Sequence, residues 1–404
     1  MKIPFAPPRI DDKTIKEVNK ALLSGWITTG PRTELFENRL AEYLNLDNVV
    51  CLNSATAGLQ LAMFWLNILP GDEVIVPAYT YCATANVVLQ RGAIPVMVDI
   101  NKDDFNINTE AVSESINSKT KAIIAVDIAG YPADYNALRK VIEHPDNLHK
   151  FKANGDVQKK LGRVALISDA AHSIGASYNN QKTGNLADLS SFSFHAVKNL
   201  TTAEGGAVAF NLPKPFNNQE IKKLFKTLSL HGQSKDALSK NKAGGWEYDV
   251  KYAGFKCNMT DIQAAIGLVE LDRYEETLNR RKRIFELYDQ YFNKKKWANI
   301  PTYSSNEKTS SYHLYMLRIN NCNEKQRNQI IDRISKEEIA VNVHYKPLPM
   351  LSVYKALNYK ISEYPQAFQN YQCEISLPVY FNLSDKDVEI VANTVIKAVE
   401  DKLK

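Results

Sequence analysis

The stretch from Ser191 to Phe210, SFSFHAVKNLTTAEGGAVAF, raises the first structural question of this 404-residue chain. Its apolar ends are typical of β-strands, but His195 and Lys198 interrupt the pattern. Gly205 and Gly206 follow, and paired glycines permit a tight backbone turn. Because a lysine is costly to bury, Lys198 is either a surface charge beside a turn or a side chain held inward for chemistry.

The sequence around this stretch alternates strand-like runs with segments of helix length. The strand-like runs are NVVCLN (48–53), GDEVIVPA (71–78), IPVMVDI (94–100), KAIIAVDIAG (121–130) and VALISDA (164–170). The segment after the first run, with Ser54 as its N-cap, is typical of a helix. β-branched runs joined in this way predict an α/β fold, with a mostly parallel central sheet flanked by helices.

The character of the chain changes after about residue 260. Residues 259–292 have helical periodicity and lead to strand-like runs, SYHLYMLRI (311–319), IAVNVHY (339–345) and EISLPVY (374–380). We therefore predict a large domain over residues 1–255 and a smaller α+β domain over residues 256–404, with which the N-terminal segment is a candidate to pack. The polar residues 144–162 read as an insertion, either a surface elaboration or part of a substrate or subunit contact.

Composition narrows the class of protein. Hydrophobic residues make up 44% and charged residues 24% of the chain, which is ordinary for a soluble globular protein. The net charge of +5 comes without a long basic block, so we do not expect nucleic-acid binding. Five scattered cysteines without a CxxC pair argue against a disulfide framework and a metal site, and favour a cytoplasmic location. No apolar run is long enough to predict a membrane span.

Two further features bear on Lys198. Asp169 ends an apolar strand, where a carboxylate is either a helix N-cap or is aimed at a ligand cation. The turn from Asn53 to Gly58, NSATAG, joins a strand to a helix, and the free N–H groups of such a turn form an anion site. A carboxylate, an anion cradle and a lysine together match the needs of pyridoxal 5′-phosphate (PLP).

The chain resembles the DegT/DnrJ/EryC1/StrS family of sugar aminotransferases, within the fold-type I PLP-dependent transferases. The resemblance covers nearly the whole chain. It rests on SGWITTGP (24–31), NSATAGLQLA (53–62), GDEVIVPAYTYCATAN (71–86), GAIPVMVDI (92–100), SDAAHSIGA (168–176), SFSFHAVKNLTTAEGGAV (191–208), GFKCNMTDIQAAIG (254–267) and VHYKPLP (343–349).

The resemblance implies roles for individual residues. Lys198 matches the lysine that forms the Schiff base, and Asp169 matches the partner of the pyridine nitrogen. Other matches are to cofactor contacts: Thr56 and Ala57 in the phosphate-binding turn, Ser193 as a further phosphate donor, Tyr81 stacked on the ring, and His172 beside the 3-oxygen. Taken alone, Tyr81 would be a core tyrosine and His172 a structural cap.

The family also implies a homodimer whose sites are completed across the interface. Many members carry the sequence Gly-Tyr-Asn-Tyr-Arg where this chain has residues 254–258, and their asparagine reaches the phosphate of the neighbouring subunit. Here either Lys256 or Asn258 takes that role, or neither does.

The implied reaction transfers an amino group from an amino acid, expected to be L-glutamate, to a nucleotide-linked keto-sugar. The sequence SFHAVKN is similar to that of members acting on 4-keto sugars, which favours amination at C4. Candidate substrate contacts are Trp26, Thr28, Thr29, His195, His313, His344 and Tyr345, each of which has a packing role as its alternative. The alternative functions are a PLP-dependent sugar dehydratase, a transaminase of a non-sugar ketone, and a non-catalytic regulator that keeps the fold. Lys198 disfavours the dehydratase, because those members carry histidine at its position.

Overall fold

A computed structural model describes residues 2–234 and 247–403 of the chain. The helices are α1 (Asp12–Leu23), α2 (Pro31–Leu44), α3 (Ala55–Trp65), α4 (Ala83–Leu89), α5 (Thr109–Ser115), α6 (Tyr135–Ile142), α7 (Pro145–Lys150), α8 (Asp156–Leu161), α9 (Asn218–Ser229), α10 (Asp261–Asp272), α11 (Tyr274–Phe292), α12 (Glu324–Lys336), α13 (Ser352–Ala356), α14 (Pro365–Cys373) and α15 (Asp385–Leu403). The strands are β1 (Val49–Leu52), β2 (Glu73–Pro77), β3 (Ile94–Val98), β4 (Thr120–Val126), β5 (Ala165–Asp169), β6 (Ser177–Tyr178), β7 (Gln181–Lys182), β8 (Leu189–Ser193), β9 (Gly206–Phe210), β10 (Ala298–Asn299), β11 (Lys308–Thr309), β12 (Tyr315–Ile319) and β13 (Glu374–Leu377).

A seven-stranded sheet forms the centre of the N-terminal part, in the order β1-β9-β8-β5-β4-β2-β3. The pairs from β8 to β3 are parallel, and β9 runs antiparallel to both of its neighbours. Every residue of β4, β5, β8 and β9 is buried. Apolar clusters cover both faces of the sheet, as predicted for strands that carry continuous apolar runs. The predicted fold class is therefore confirmed.

The opening stretch of the sequence forms β8, a loop over residues 194–205, and β9. Within the loop, the backbone N–H groups of Lys198 and Thr202 donate to the carbonyls of His195 and Phe194, both at 2.9 Å. Gly206 begins β9 directly against the start of α3, where an added Cβ would lie 2.4 Å from the Ala55 nitrogen. The absence of a side chain at Gly206 therefore lets the loop, the sheet and the start of α3 come together.

The C-terminal part has a core of its own. Strands β10, β12 and β13 form an antiparallel sheet, and α11, α12 and α15 pack against it. Ile3 joins this core through a parallel bridge to Ile339, so the N-terminal segment packs with the C-terminal part. Helix α10 instead packs against α1 and α2 of the N-terminal part. The division at residues 255 and 256 stays a prediction, and its ranges include residues 1, 235–246 and 404, which lie outside the described residues.

Two sequence predictions need adjustment. Residues 339–345 were expected to form a strand, but they make only isolated bridges, through Ile339 and through Asn342. The apolar alternation there reflects two different packing partners, because Ile339 belongs to the C-terminal core and Val343 packs against the cluster under the central sheet. The periodic segment 259–292 is divided at Arg273 into α10 and α11.

The insertion at residues 144–162 contains α7 and α8 and packs against the N-terminal part. The Gln158 side chain donates to the carbonyl oxygen of Leu66 just beyond α3 (2.8 Å), and Asn154 donates to Asp72 before β2 (2.5 Å). These contacts favour the surface elaboration over a substrate contact. A role in subunit contact stays a prediction.

Among the described helices, none is both long enough and apolar enough to cross a bilayer.

Replacing Gly206 by alanine tests whether the β9–α3 contact holds this region together. The new methyl group would meet backbone atoms of Ala55 and Phe192 that cannot move independently, so we expect a loss of about 2 kcal/mol in the free energy of unfolding. Urea unfolding of the apoprotein measures it. Gly155→Ala is the matched control, because its methyl group would meet only the flexible Asn67 side chain. Equal losses in the two variants would contradict the proposed constraint.

Candidate active site

A cavity of about 500 Å³ opens where the N-terminal segment, the central sheet and the C-terminal part meet. Asp169 at the end of β5 and Ser193 at the end of β8 line this cavity, as expected for ligand sites at the carboxyl ends of parallel strands. The sequence-predicted residues that line it are Thr56, Tyr81, Asp169, His172, Ser193, His195, Lys198, His313, His344 and Tyr345. The structure therefore brings together residues from positions 56 to 345.

Lys198 lines this cavity rather than the outer surface. Burial lowers the pKa of its amine to about 8, and the charge of the nearby Asp169 carboxylate opposes that shift. Among the described residues, its Nζ has no hydrogen-bond partner. A lysine amine with these properties is deprotonated to a useful extent near neutral pH, which is what nucleophilic or proton-transfer chemistry requires.

The Asp169 carboxylate is buried and held by two donors. Thr84 Oγ1 donates to Oδ2 (2.8 Å), and the Ala171 backbone N–H donates to Oδ1 (3.3 Å). Burial raises the pKa of Asp169 above its usual range, and these hydrogen bonds and the Lys198 charge oppose the rise. The sequence did not lead us to predict a role for Thr84, although it lies in the quoted motif GDEVIVPAYTYCATAN, three residues after Tyr81. That spacing was the available signal.

The start of α3 forms the predicted anion cradle. Ser54 is its N-cap, and its Oγ accepts a hydrogen bond from the Ala57 N–H (3.1 Å), so this N–H of Ala57 is already engaged. Ala57 is not among the cavity-lining residues, whereas Ser54, Ala55 and Thr56 are. The first N–H groups of a helix have no partner within the helix, and those of Ala55 and Thr56 are therefore available to an anion.

An aromatic and histidine cluster forms another wall. Tyr81 is 59% exposed, which excludes the core-tyrosine alternative, and its ring lies 5.9 Å from that of Tyr345. His172 Nε2 lies 3.0 Å from the Tyr345 hydroxyl, while its buried Nδ1 has no partner among the described residues. The His172 and His313 rings are 4.3 Å apart, and His313 Nδ1 lies 2.8 Å from Asn199 Oδ1. Burial lowers the pKa of both histidines well below the usual range, so both rings are neutral.

His195 and Arg281 differ in how far they are buried. His195 is exposed at the rim, with Nε2 3.6 Å from Glu204 Oε1. Arg281, which the sequence analysis missed, is 4% exposed and donates to the carbonyls of Tyr312 (2.8 Å) and His313 (2.7 Å). Its position in a long amphipathic helix resembled a solvated charge, so the sequence carried no signal for its burial.

The remaining candidates lie together but outside this cavity. The Lys256 amine donates to Asn258 Oδ1 (2.5 Å), and Asn258 Nδ2 donates to Thr29 Oγ1 (2.6 Å). Trp26 Nε1 donates to the Thr29 carbonyl (3.0 Å), and Thr28 accepts from the Asp261 N–H (3.0 Å). We call Trp26, Thr28, Thr29, Lys256 and Asn258 the outer cluster. Within one chain, the outer cluster does not reach the cavity.

The cavity residues fit a phosphate-bearing pyridine aldehyde such as PLP. The helix start offers N–H donors, the buried carboxylate matches a protonated ring nitrogen, and the buried amine matches an aldehyde. The unpartnered Nδ1 of His172 leaves a buried polar atom for a bound group to satisfy.

Comparisons with known proteins agree with this geometry. Spr1654 of Streptococcus pneumoniae, assigned as a sugar aminotransferase, is 44% identical in its PLP-form, with all of both chains covered and a TM-score of 0.95. PseC of Helicobacter pylori, an aminotransferase of pseudoaminic acid biosynthesis, is 30% identical over 99% of both chains, with a TM-score of 0.85. The spore coat polysaccharide biosynthesis protein SpsC of Bacillus subtilis is 32% identical, over the whole of this chain and 97% of its own length.

A family-wide comparison gives the same result. The profile of the DegT/DnrJ/EryC1/StrS aminotransferase family matches residues 8–396. The resemblance and the enzyme class expected from the sequence are confirmed. The chain belongs to the DegT/DnrJ/EryC1/StrS aminotransferase family.

Proposed function

We propose that this aminotransferase moves an amino group from L-glutamate to a nucleotide-linked keto-sugar, at C4, with PLP as its cofactor. The observation that carries the proposal is the half-buried Lys198, whose amine is desolvated, in the same cavity as the buried Asp169 carboxylate. The names of its relatives, which concern sugar amination and polysaccharide biosynthesis, support a sugar substrate for glycan or cell-envelope precursors. The preference for C4 rests on the similarity of the SFHAVKN sequence to that of members acting on 4-keto sugars.

Each cofactor contact follows from a cavity wall. Thr56, the Ala57 turn and Ser193 would hold the phosphate, Asp169 would pair with the pyridine nitrogen, Tyr81 would cover the ring face, and His172 would contact the 3-oxygen. When bound, PLP supplies an electrophilic aldehyde and a ring that withdraws electrons from the reacting carbon.

Lys198 acts as the proton carrier of the reaction. With PLP bound, the free amine of Lys198 would take the α-proton of the amino donor, and the resulting ammonium group would later give a proton back to complete the transfer. General catalysis of this kind works best when the pKa lies near the working pH, and the pKa of about 8 meets that condition. The same group serves in reverse when the keto-sugar accepts the amine.

Asp169 sets the electronic state of the ring, and Thr84 sets the state of Asp169. Only the ionised carboxylate stabilises a protonated pyridine nitrogen. The Thr84 hydroxyl lowers the pKa of Asp169 against the effect of burial, so it favours the ionised carboxylate.

The sugar contacts come from the C-terminal wall and the rim. His344 and Tyr345 face the cavity from one side, and His195 lies at the opening. His313 acts through its neighbours, since its ring stacks on His172 and its Nδ1 is held by Asn199.

A homodimer completes the site. Helix α1, the segment after it and the first turns of α2 expose apolar side chains, and such a surface favours burial in an interface. The exposed residues are Ile15, Leu22, Leu23, Ile27 and Leu35. We place the outer cluster at this interface, where Trp26, Thr28 and Thr29 would adjoin the neighbouring subunit's cavity. Asn258 is held at both ends of its amide, so Lys256 is the better candidate to reach the neighbouring phosphate.

We also propose a cytoplasmic location, which suits the five free cysteines.

The proposed reaction is tested by incubating the enzyme with PLP, glutamate and a panel of nucleotide-linked 3-keto and 4-keto sugars, with products identified by mass. We expect the 4-keto sugar to be converted to a 4-amino sugar while glutamate is converted to 2-oxoglutarate. Lys198→Ala should bind PLP but lose at least about 10³-fold in rate, because both proton transfers need the amine. Turnover by Lys198→Ala at the wild-type rate, or amination of non-sugar ketones alone, would overturn the proposal.

Replacing Thr84 by alanine tests the control of Asp169. Loss of the hydroxyl raises the pKa of Asp169, so we expect kcat to fall about tenfold with little change in the amount of PLP bound. Steady-state kinetics and cofactor absorbance measure the two quantities. Thr84→Ser keeps the hydroxyl and should restore most of the rate. A serine variant as slow as the alanine variant would count against the hydrogen bond.

The pH dependence of Lys198 is measurable in the apoprotein. We expect labelling of Lys198 by an amine reagent, followed by peptide mass spectrometry, to rise with pH through a midpoint near 8. Asp169→Asn should move the midpoint to lower pH, because the carboxylate charge raises the lysine pKa. Asp272→Asn removes an exposed carboxylate outside the cavity and serves as the control. A midpoint that is the same in all three proteins would refute the coupling.

A further inference from the structure

Glu374, the first residue of β13, is a fully buried carboxyl group that has no role in the proposed chemistry. Its Oε2 accepts a hydrogen bond from the backbone N–H of His344 (3.0 Å). Its Oε1 lies 2.5 Å from the hydroxyl oxygen of Ser376. Both oxygens of the carboxyl group are therefore engaged, and one of the two partners, His344, lines the cavity.

Ser376 continues the contact to the cavity wall. Its Oγ lies 2.9 Å from His344 Nδ1, so a hydrogen-bonded chain runs from Glu374 through Ser376 to the imidazole. The His344 ring is held in place by the stacked ring of Phe5, with centroids 5.5 Å apart. Since Nδ1 is taken, Nε2 is the ring nitrogen left for a ligand, and it has no hydrogen bond among the described residues.

We propose that Glu374 is a positioning residue that acts through Ser376 to place the His344 proton on Nε2, so that His344 offers an N–H donor to an oxygen atom of the substrate.

When Glu374 is neutral, the placement of the proton follows from donors and acceptors. A backbone N–H can only donate, so Oε2 of Glu374 is an acceptor, and the proton of a neutral Glu374 must lie on Oε1. That proton is donated to Ser376 Oγ, and the serine hydrogen is then donated to His344 Nδ1. Nδ1 is consequently unprotonated, and the single proton of the neutral ring lies on Nε2.

The electrostatic environment supports this direction of the chain. Burial raises the pKa of Glu374 to about 8, so the carboxyl group is protonated at neutral pH. Burial also lowers the pKa of His344 to about 3, with help from the Lys198 charge, so the ring carries only one proton.

Above about pH 8 the chain reverses. An ionised Glu374 accepts from Ser376, Ser376 accepts from Nδ1–H, and Nε2 becomes an acceptor. The other titratable and charged groups near Glu374 are Arg318, Arg327, Tyr79, Tyr345 and Cys373. The two arginines favour the ionised carboxylate, and burial outweighs them.

The ligand atom is an oxygen acceptor, and this identification rests on the proposed function. It belongs either to the keto-sugar or to the carboxylate of the amino donor. The two sources are separable because each substrate reacts in its own half-reaction, so each can be studied by rapid mixing without the other.

The protonation state of His344 is read directly by ¹⁵N NMR of histidine-labelled holoenzyme, with His344→Gln to assign its signals. We expect a protonated Nε2 and an unprotonated Nδ1 at pH 7, and the opposite above pH 8. Glu374→Gln should keep Nε2 protonated at both pH values, because its amide can only donate to Ser376. A protonated Nδ1 in the wild type at pH 7, or a pH-dependent change in Glu374→Gln, would overturn the proposal. This measurement needs no turnover, so it stands even if the proposed reaction fails.

Kinetics of the two half-reactions test the consequence for binding. Ser376→Ala breaks the chain, and we expect the apparent binding constant of one substrate to weaken about tenfold at pH 7, with the maximal rate changed less than about twofold. Asp272→Asn, which removes an exposed carboxylate outside the cavity, is the control and should stay within about twofold of the wild type. The half-reaction that is affected identifies the source of the oxygen. Unchanged binding of both substrates in Ser376→Ala would overturn the role of the chain in recognition. If Ser376→Ala does not fold, the NMR comparison of the wild type with Glu374→Gln decides the question.

Discussion

The desolvation of the Lys198 amine is the constraint on which the site depends. An ammonium group is strongly hydrated, and withdrawing it from water costs free energy that the fold must offset elsewhere. Part of this cost is avoided because the amine loses its proton at a lower pH, since its pKa is lowered to about 8. Another part is offset by the charge of the Asp169 carboxylate, which favours the protonated amine. The two effects oppose each other, and their balance leaves the lysine able both to take and to give a proton.

Sheet topology brings the remaining groups to the same place. Asp169 and Ser193 end the adjacent parallel strands β5 and β8, so the polar groups that follow them meet at one edge. The loop after β8 then brings the chain to the start of α3, where β9 begins, and Gly206 allows the two backbones to approach. A bulkier residue at Gly206 would separate the anion cradle from the lysine loop.

The sequence predicted most reliably what is local. Lys198, Ser193 and both glycines lie in one stretch, and Asp169 and the α3 turn each end an apolar run, so pattern and chemistry pointed to the same residues. Side chains whose partners lie far away in the sequence were missed. Arg281 occupies one position on a charged helix, and Glu374 lies in a short strand whose partners become visible only when residues 344 and 376 are brought together.

Packing against two different cores also obscured one prediction. Residues 339–345 alternate in the way a strand does, but Ile339 and Val343 are apolar for separate reasons. Likewise, the outer cluster belongs to motifs typical of the family, and nothing local in its sequence tells whether it serves the cavity of its own chain or that of a neighbour. Such information resides in tertiary and quaternary contacts rather than in local periodicity.

The charges of the cavity follow from its histidines. His172, His313 and His344 are all held neutral by burial and by the Lys198 charge, so they offer hydrogen bonds without adding cations. Arg281 remains charged, since burial lowers its pKa only to about 10. With Lys198 protonated, two cations face one buried carboxylate, and a phosphate-bearing cofactor or an acidic substrate supplies the missing negative charge. The site therefore favours anionic ligands because Lys198 and Arg281 carry positive charge while the three histidines stay neutral.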